Sequence, residues 1–432
     1  MNTRTNLSKG SWLQLNERRA ARTGIMVLLL LLTLPAVVQA QFTFTTNNGA
    51  ITITKYTDWG GYSGAVTVPS TTNGYPVTSI GDSAFYGCNE VTSVTIPDSV
   101  TSIGASAFEN CSSLTNVTLP GSLASLPDGV FYDCTSLTRV TIPSTVTNIG
   151  EYLFLGCSRL ASITVPDNVT SIGDSAFEDC TSLTNVTIGK SVASIGPDAF
   201  DGCISLTAIT VNPLNWTYSS VAGVLFDKSQ TTLIRYPQAK AGDYTIPNSV
   251  TSIGYGAFKD CTRLTSITVP NNVTSIGLGA FQDCTSLTSV TIGNGVTSIG
   301  DFAFIFCGTP MAIYFAGNVP SVGRQLFADD YRVTVYYLPG TTGWGTTFCG
   351  WPAMPWRPQV RTTDASFGVR TNQFGFNITW ASDMVVVVEA CANLANPTWS
   401  PVGTNTLTGG SSYFSDPQWT NYPNRFYRLR SP

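Results

Sequence analysis

Histidine is missing from all 432 residues of this chain. Its absence excludes Ser-His-Asp triads, Cys-His pairs, histidine metal ligands and histidine pH switches. Charge is scarce as well: Asp, Glu, Lys and Arg make up 11 %, against roughly 25 % in an ordinary soluble domain. The polar surface is therefore left to Ser, Thr and Asn. The formal net charge is -4, and basic runs are lacking. Nucleic-acid binding rests on phosphate neutralisation, so this chain is a poor candidate for it. No apolar run reaches the roughly 20 residues that a membrane-spanning helix needs.

The longest apolar run, Ile25 to Leu34, follows Arg4, Lys9, Arg18, Arg19 and Arg22, and Val38-Gln39-Ala40 offers a small-residue cleavage site. This is the pattern of an export signal over residues 1–40, with an uncleaved anchor as the alternative. The pair Arg18-Arg19 precedes Ala20-Ala21 rather than bulky apolar residues, so it is a weak twin-arginine signal. The expected location is extracellular or at the cell surface, with no membrane span once the signal is removed.

What the chain does have is a ruler. Phe85, Phe108, Phe131, Phe154, Phe177 and Phe200 fall 23 residues apart, and the spacing resumes at Phe258, Phe281, Phe304 and Phe327. From Phe85 to Phe304 each has a Cys three residues later. A fixed period of this length predicts a solenoid, each coil burying its apolar side against the next. In each coil a β-branched segment such as Leu183-Thr-Asn-Val-Thr-Ile188 reads as a short strand. Pro97, Pro120, Pro143, Pro166, Pro247 and Pro270 end the strands, since proline cannot continue a ladder. The glycines after the next Ile, among them Gly104, Gly150, Gly173 and Gly196, are expected to supply a special backbone angle.

The segment VTSIGDSAFYGCNEVTSVTIP and its copies resemble the BspA-like leucine-rich repeat family over about residues 77 to 340. The resemblance implies a curved solenoid with parallel strands on its concave face, carried on exported or surface-attached proteins. It further implies adhesion and protein–protein contact rather than catalysis. The family pattern specifies no binding residues.

The expected organisation is thus a signal peptide at 1–40, an N-terminal cap at 41–76 and a leucine-rich repeat solenoid at 77–340, of about eleven coils at one per strand spacing. A cap or linker at 341–360 and a small β-sandwich-like module at 361–432 follow, making the chain mostly β. The ruler skips between Cys203 and Cys261, predicting an irregular coil at 212–245 with a hairpin at Asp227 to Gln230. Trp344, Trp351 and Trp356 are expected to seal the last coil.

The Cys column contains no CxxC cluster, so no metal site is expected. Export permits disulfides, but a bridge needs Cα atoms within about 7 Å, and the return side of a curved solenoid should spread wider. Buried thiols are the favoured reading. Alternation along the strands places Thr67, Thr95, Thr118, Thr141, Thr164, Thr187, Thr210, Thr245, Thr268 and Thr291 on one exposed face. The column beside them varies, and Asn116, Arg139 and Asn185 are its candidate binding residues, with Tyr314 replacing Thr in the last coil. Trp216, Tyr218 and Tyr236 make the irregular coil a second candidate. A glycosidase needs two facing carboxyls at a set separation, and no coil supplies such a pair. No catalytic residue and no cofactor are assigned. The expected partner is an extracellular protein, with polysaccharide, or a surface layer without specific ligand, as alternatives.

Overall fold

The structure, a computed structural model, describes residues 41–57, 64–308, 310–330, 332–381 and 384–430. The expected signal at 1–40 lies outside the described residues. The chain divides into two compact units, Met1–Lys240 and Ala241–Pro432. Most of it is a β-solenoid of about 12 turns with coils of about 23 residues.

In the first unit, Phe42–Asn47 and Ala50–Tyr56 form an antiparallel hairpin. Its second strand pairs in parallel with Tyr75–Ile80 and starts the stack. Coils then bond to their neighbours along three lines, the first of them interrupted after Val140. The first is the main strand ladder, Gly64–Thr67, Val91–Thr95, Asn116–Thr118 and Arg139–Val140, followed by a second run of Ser162–Thr164, Asn185–Ile188 and Ala208–Val211. The second consists of two-residue strands such as Ser171–Ile172 against Ser194–Ile195. The third is the return segment, where the N–H groups of Ser83, Phe85 and Gly87 donate to the carbonyls of Ala105, Ala107 and Glu109 at 3.0, 2.7 and 2.9 Å.

Inside these ladders the ruler phenylalanines form a column. Phe108, Phe131, Phe154, Phe177 and Phe200 stack with centroids 5.5 to 5.7 Å apart and planes within 13°. Phe154 is 0 % exposed. Burying one such ring is worth about 4–6 kcal/mol at roughly 25 cal/mol per Å2 over 150–250 Å2.

The cysteines are thiols, as the sequence suggested, but not because the return side is spread. Its backbone is hydrogen-bonded coil to coil, so spacing alone does not keep them apart. Within the regular coils the thiols instead donate to the Phe carbonyl of the preceding coil, as Cys134 does to Phe108 and Cys157 to Phe131 at 3.1 Å, and Cys180 to Phe154 at 3.2 Å. Burial pushes the Cys203 thiol up to about 12, so it stays protonated.

The Ile-Gly glycines also have a different cause from the one expected. Gly104, Gly150, Gly173 and Gly196 do not adopt positive φ. A Cβ on Gly173 would meet the backbone of Gly150 and Glu151 at 2.5 to 2.7 Å, so glycine is there to let the coils approach. The left-handed positions lie on the return segment instead. The residue just before Cys takes φ of 53° to 72° at Gly87, Asn110, Asp133, Gly156, Asp179 and Gly202. Gly, Asn and Asp are the residues that tolerate that region.

The irregular coil holds two hairpins. Tyr218–Val221 pairs with Val224–Asp227, which pairs with Thr232–Arg235. The expected turn at Asp227 to Gln230 is present, and Ala222-Gly223 makes a second. Asp227 organises the first by accepting from Ser229, Thr231 and the Thr232 N–H, which holds its carboxyl below the usual range despite burial. Beneath them Arg235 donates to the Phe200 carbonyl at 3.2 Å and pairs with Asp201 at 2.6 Å, both nearly sealed from solvent.

In the second unit, Gly242–Thr245, Leu264–Val269, Ser289–Ile292, Met311–Phe315, Val333–Tyr337 and Trp351–Pro355 form a parallel ladder. Phe258, Phe281 and Phe304 stack at 4.9 and 5.0 Å. Trp344 closes the end: it stacks on Tyr337 at 5.2 Å, tilts against Phe315 at 4.9 Å, and donates to the Gly317 carbonyl at 3.2 Å. Residues 359–430 form two antiparallel sheets. One contains Gln359–Arg361, Gly368–Arg370, Gln373–Thr379 and Ser411–Asp416; the other contains Val385–Cys391, Ser400–Thr406 and Phe426–Arg430. Phe376, Ile378, Trp380, Val386, Val388, Leu407 and Phe414 fill the space between them, and that core continues through Trp356 to Leu338.

Candidate functional site

Period-two alternation in the main strands sends Val and Ile inward and Thr outward. The register confirms the Thr face: Thr67 pairs with Thr95 and Thr95 with Thr118, then Thr164 with Thr187 and Thr187 with Thr210. In the second unit Thr245, Thr268, Thr291 and Tyr314 align in turn.

A second set of threonines, not separated from the first by sequence reasoning, behaves differently. Thr115, Thr138, Thr184 and Thr207 each donate through Oγ1 to the carbonyl 23 residues earlier, at 2.9 to 3.2 Å. These hydroxyls stitch coils together. Among the described residues, the hydroxyls of Thr95, Thr118, Thr141, Thr164, Thr187 and Thr210 have no partner within the protein. One threonine column is structural, and the other is free.

The candidate residues separate in the structure. Asn116 and Arg139 lie on adjacent paired strands and are both exposed. Asn185 occupies the same column in the second strand run, exposed, its amide donating to Thr184 Oγ1 at 3.1 Å. Tyr314 is half-buried, stacked on Tyr336 at 4.9 Å and tilted against Trp356 at 4.9 Å. It is packed toward the C-terminal sheets rather than open on the face. In the irregular coil Trp216 is 87 % exposed, whereas Tyr236 is 2 % exposed and belongs to the core. Tyr218 is half-buried, its hydroxyl accepting the Ile195 N–H at 3.1 Å.

Just past Asn116 and Arg139, which are themselves paired, the strand ladder opens. In neighbouring coils the residue after the outward Thr donates its N–H to the Thr of the next coil: Val68 to Thr95 at 3.0 Å, Ile96 to Thr118 at 3.2 Å, Val165 to Thr187 at 2.8 Å. The corresponding N–H groups of Leu119 and Ile142 have no acceptor among the described residues. Arg139–Val140 is the last strand of its sheet, and the next sheet begins at Ser162. A cavity of about 640 Å3 lies at this opening. Asn116, Thr118, Leu119, Gly121, Arg139, Thr141, Pro143 and Ser144 line it. No periodicity could have announced it, because it comes from bonds that are not made.

Charge is distributed unevenly over the first unit. Its main strands carry no carboxylate from Val91 to Ile96, Leu114 to Leu119 or Leu137 to Ile142. The acids gather on the return segments, where burial and then Glu109 and Asp179 push the Asp133 carboxyl up. Among the described residues no group of three or more Cys, Asp or Glu could hold a metal ion, and no helix is long and apolar enough to cross a membrane.

A family model described as the BspA type leucine rich repeat region matches residues 77–220 and 235–343 in six copies. A leucine rich cell surface protein of Faecalibacterium prausnitzii shares 34 % identity, with a TM-score of 0.50, over 63 % of this chain and 86 % of that one. The pneumococcal vaccine antigen PcpA shares the fold at 22 % identity and a TM-score of 0.59, over 68 % of this chain and 79 % of that one. No curated protein matches the chain.

Proposed function

We infer that this chain, which belongs to the BspA-type leucine-rich repeat family, is an exported interaction protein that holds an extracellular protein partner on the strand face of its solenoid. The observation that carries this reading is the free threonine column: regularly spaced, solvent-facing hydroxyls that the fold itself does not use. A strand face with alternate side chains standing out suits a large partner, with the varying column beside the threonines giving selectivity. The family and the likeness to a leucine rich cell surface protein support a place outside the cytoplasm and a role in adhesion. The basic and then apolar N-terminal segment supports export.

The test is binding of the full chain to a mixed protein and glycan array, beside the variant Asn185→Glu with Thr210→Glu. Protein hits that vanish in the variant support the reading. Hits retained by the variant place the site off the strand face, and hits confined to glycans replace the partner class.

A further inference from the structure

The cleft at the opened ladder has a composition that the rest of the face lacks: its lining carries one cation and no carboxylate. Arg139 is exposed, and among the described residues no carboxylate pairs with it. It is the one cation in the varying column of the first unit, which otherwise reads Ser93, Asn116, Ser162, Asn185 and Ala208. Asn116 can donate through its amide and Thr118, Thr141 and Ser144 through their hydroxyls. The Leu119 N–H, also in the lining, has lost the carbonyl that takes its counterparts elsewhere. The turn position after the strand-ending proline is Asp98 in the preceding coil and Asp167 in the following one. In the two coils that form the cleft it is Gly121 and Ser144. Neither coil of the cleft therefore carries the acid that its two flanking coils have there.

We propose that this cleft is the docking site for a carboxylate side chain, Asp or Glu, on an extended acidic segment of a protein partner. The proposal rests on the strand-face reading and gives that face its charge preference. A planar guanidinium matches a carboxylate with two parallel bonds, and the neighbouring amide and hydroxyl donors complete the shell of the second oxygen. Leu119 and Pro143 are half-buried and offer an apolar contact for the residue next to the acid. No aromatic ring lines the cleft on which a sugar could stack, which favours a peptide over an acidic polysaccharide.

The probes are hexaglutamate and hexaglutamine, both end-blocked, and polygalacturonate, measured by fluorescence anisotropy against the full chain at low and high salt. Hexaglutamate is expected to bind, to weaken with salt and to exceed hexaglutamine. Arg139→Gln should weaken it about tenfold or more, since a charge-assisted bond is removed. Arg139→Lys should fall between, having charge without the fork. Arg159→Gln, an exposed cation outside the cleft, should leave binding unchanged. No hexaglutamate binding, or equal losses in the Arg139 and Arg159 variants, overturns the proposal. Tighter, Arg139-dependent binding of polygalacturonate overturns the peptide assignment. If array partners are lost in the Asn185 and Thr210 variant while hexaglutamate fails, the strand-face reading survives and only the cleft's assignment falls.

Discussion

Replacing Phe154 by Ala tests whether the ring column holds the coils together. Phe154 is fully buried, with Phe131 and Phe177 each 5.5 Å away and nearly parallel. Its carbonyl also accepts the Cys180 thiol. Truncation removes most of the ring's transfer free energy and leaves a cavity that coils bonded through the return ladder and the two-residue strands cannot close, an expected cost of about 3–5 kcal/mol. The loss of two stacked partners, about 0.5–1.5 kcal/mol each, lies within that figure and sets its upper part. Phe327 is the comparison: it is 5 % exposed and meets Phe304 at 5.8 Å with a 32° tilt. Phe327→Ala should therefore cost less than Phe154→Ala. The assay is equilibrium denaturation by urea, followed by tryptophan fluorescence and circular dichroism. Hydrogen exchange then locates the loss, which should centre on the coils of Phe131, Phe154 and Phe177, because a solenoid coil contacts only its neighbours. A cost below about 1 kcal/mol, or exchange that rises evenly across the chain, would refute the reasoning.

Arg235→Ala should cost about 3–5 kcal/mol by stranding the buried Asp201 carboxylate, and Arg235→Leu with Asp201→Leu should recover part of it in the same denaturation assay. Asp330 is buried and its carboxyl pushed up by that burial, against the Gly308 and Cys307 N–H groups that lower it. Its folded state therefore holds a proton more tightly than the unfolded chain, and stability falls as pH rises from about 3.9 through the folded value. Asp330→Asn should raise the unfolding midpoint at pH 7 and leave it unchanged at pH 3. Glu389 is the opposite case, held below the usual range by Arg430 and Arg428, so its contribution is present above about pH 4.3 and is lost on acidification. Glu389→Gln should consequently flatten the acid limb of the stability profile. A thiol-reactive disulfide reagent at pH 8 should label exposed Cys349, and more slowly half-buried Cys88, in the native chain and reach the buried ladder cysteines from Cys111 to Cys307 only on unfolding; rapid labelling of these would refute their burial.

The fold was legible because each coil repeats its instructions. The Phe ruler, the strand-ending prolines and the outward Thr positions appear in the structure at the register their spacing implies. Reasons were less legible than places. Glycine after Ile suggested an unusual angle, but the φ values show close approach, a property of two coils at once that one coil's sequence cannot display. The two threonine columns look alike in sequence and differ only in whether a carbonyl of the preceding coil lies within reach. Tyr236 reads as an exposed aromatic from the polar residues around it, and is buried because two hairpins fold where one was expected. Asn116 and Arg139 were found as variable positions, but the break in the ladder beyond their paired strands was not, since missing bonds leave no mark on periodicity.

The return segments also bear on how such a chain can change length. Every coil there donates forward and accepts from behind in the same pattern, as Phe108 does to Val130, Phe131 to Leu153 and Phe154 to Ala176. Successive joints are thus interchangeable, like links of one gauge. Excising or duplicating one 23-residue link among ordinary coils would rejoin matching ends, and recombination between the near-identical copies could lengthen or shorten the molecule in whole steps. The pair of links around Arg139 is the exception. Its cleft exists only while those two coils remain side by side, which makes their junction the one place in the first unit's ladder where a neutral change of length would erase a feature of the surface.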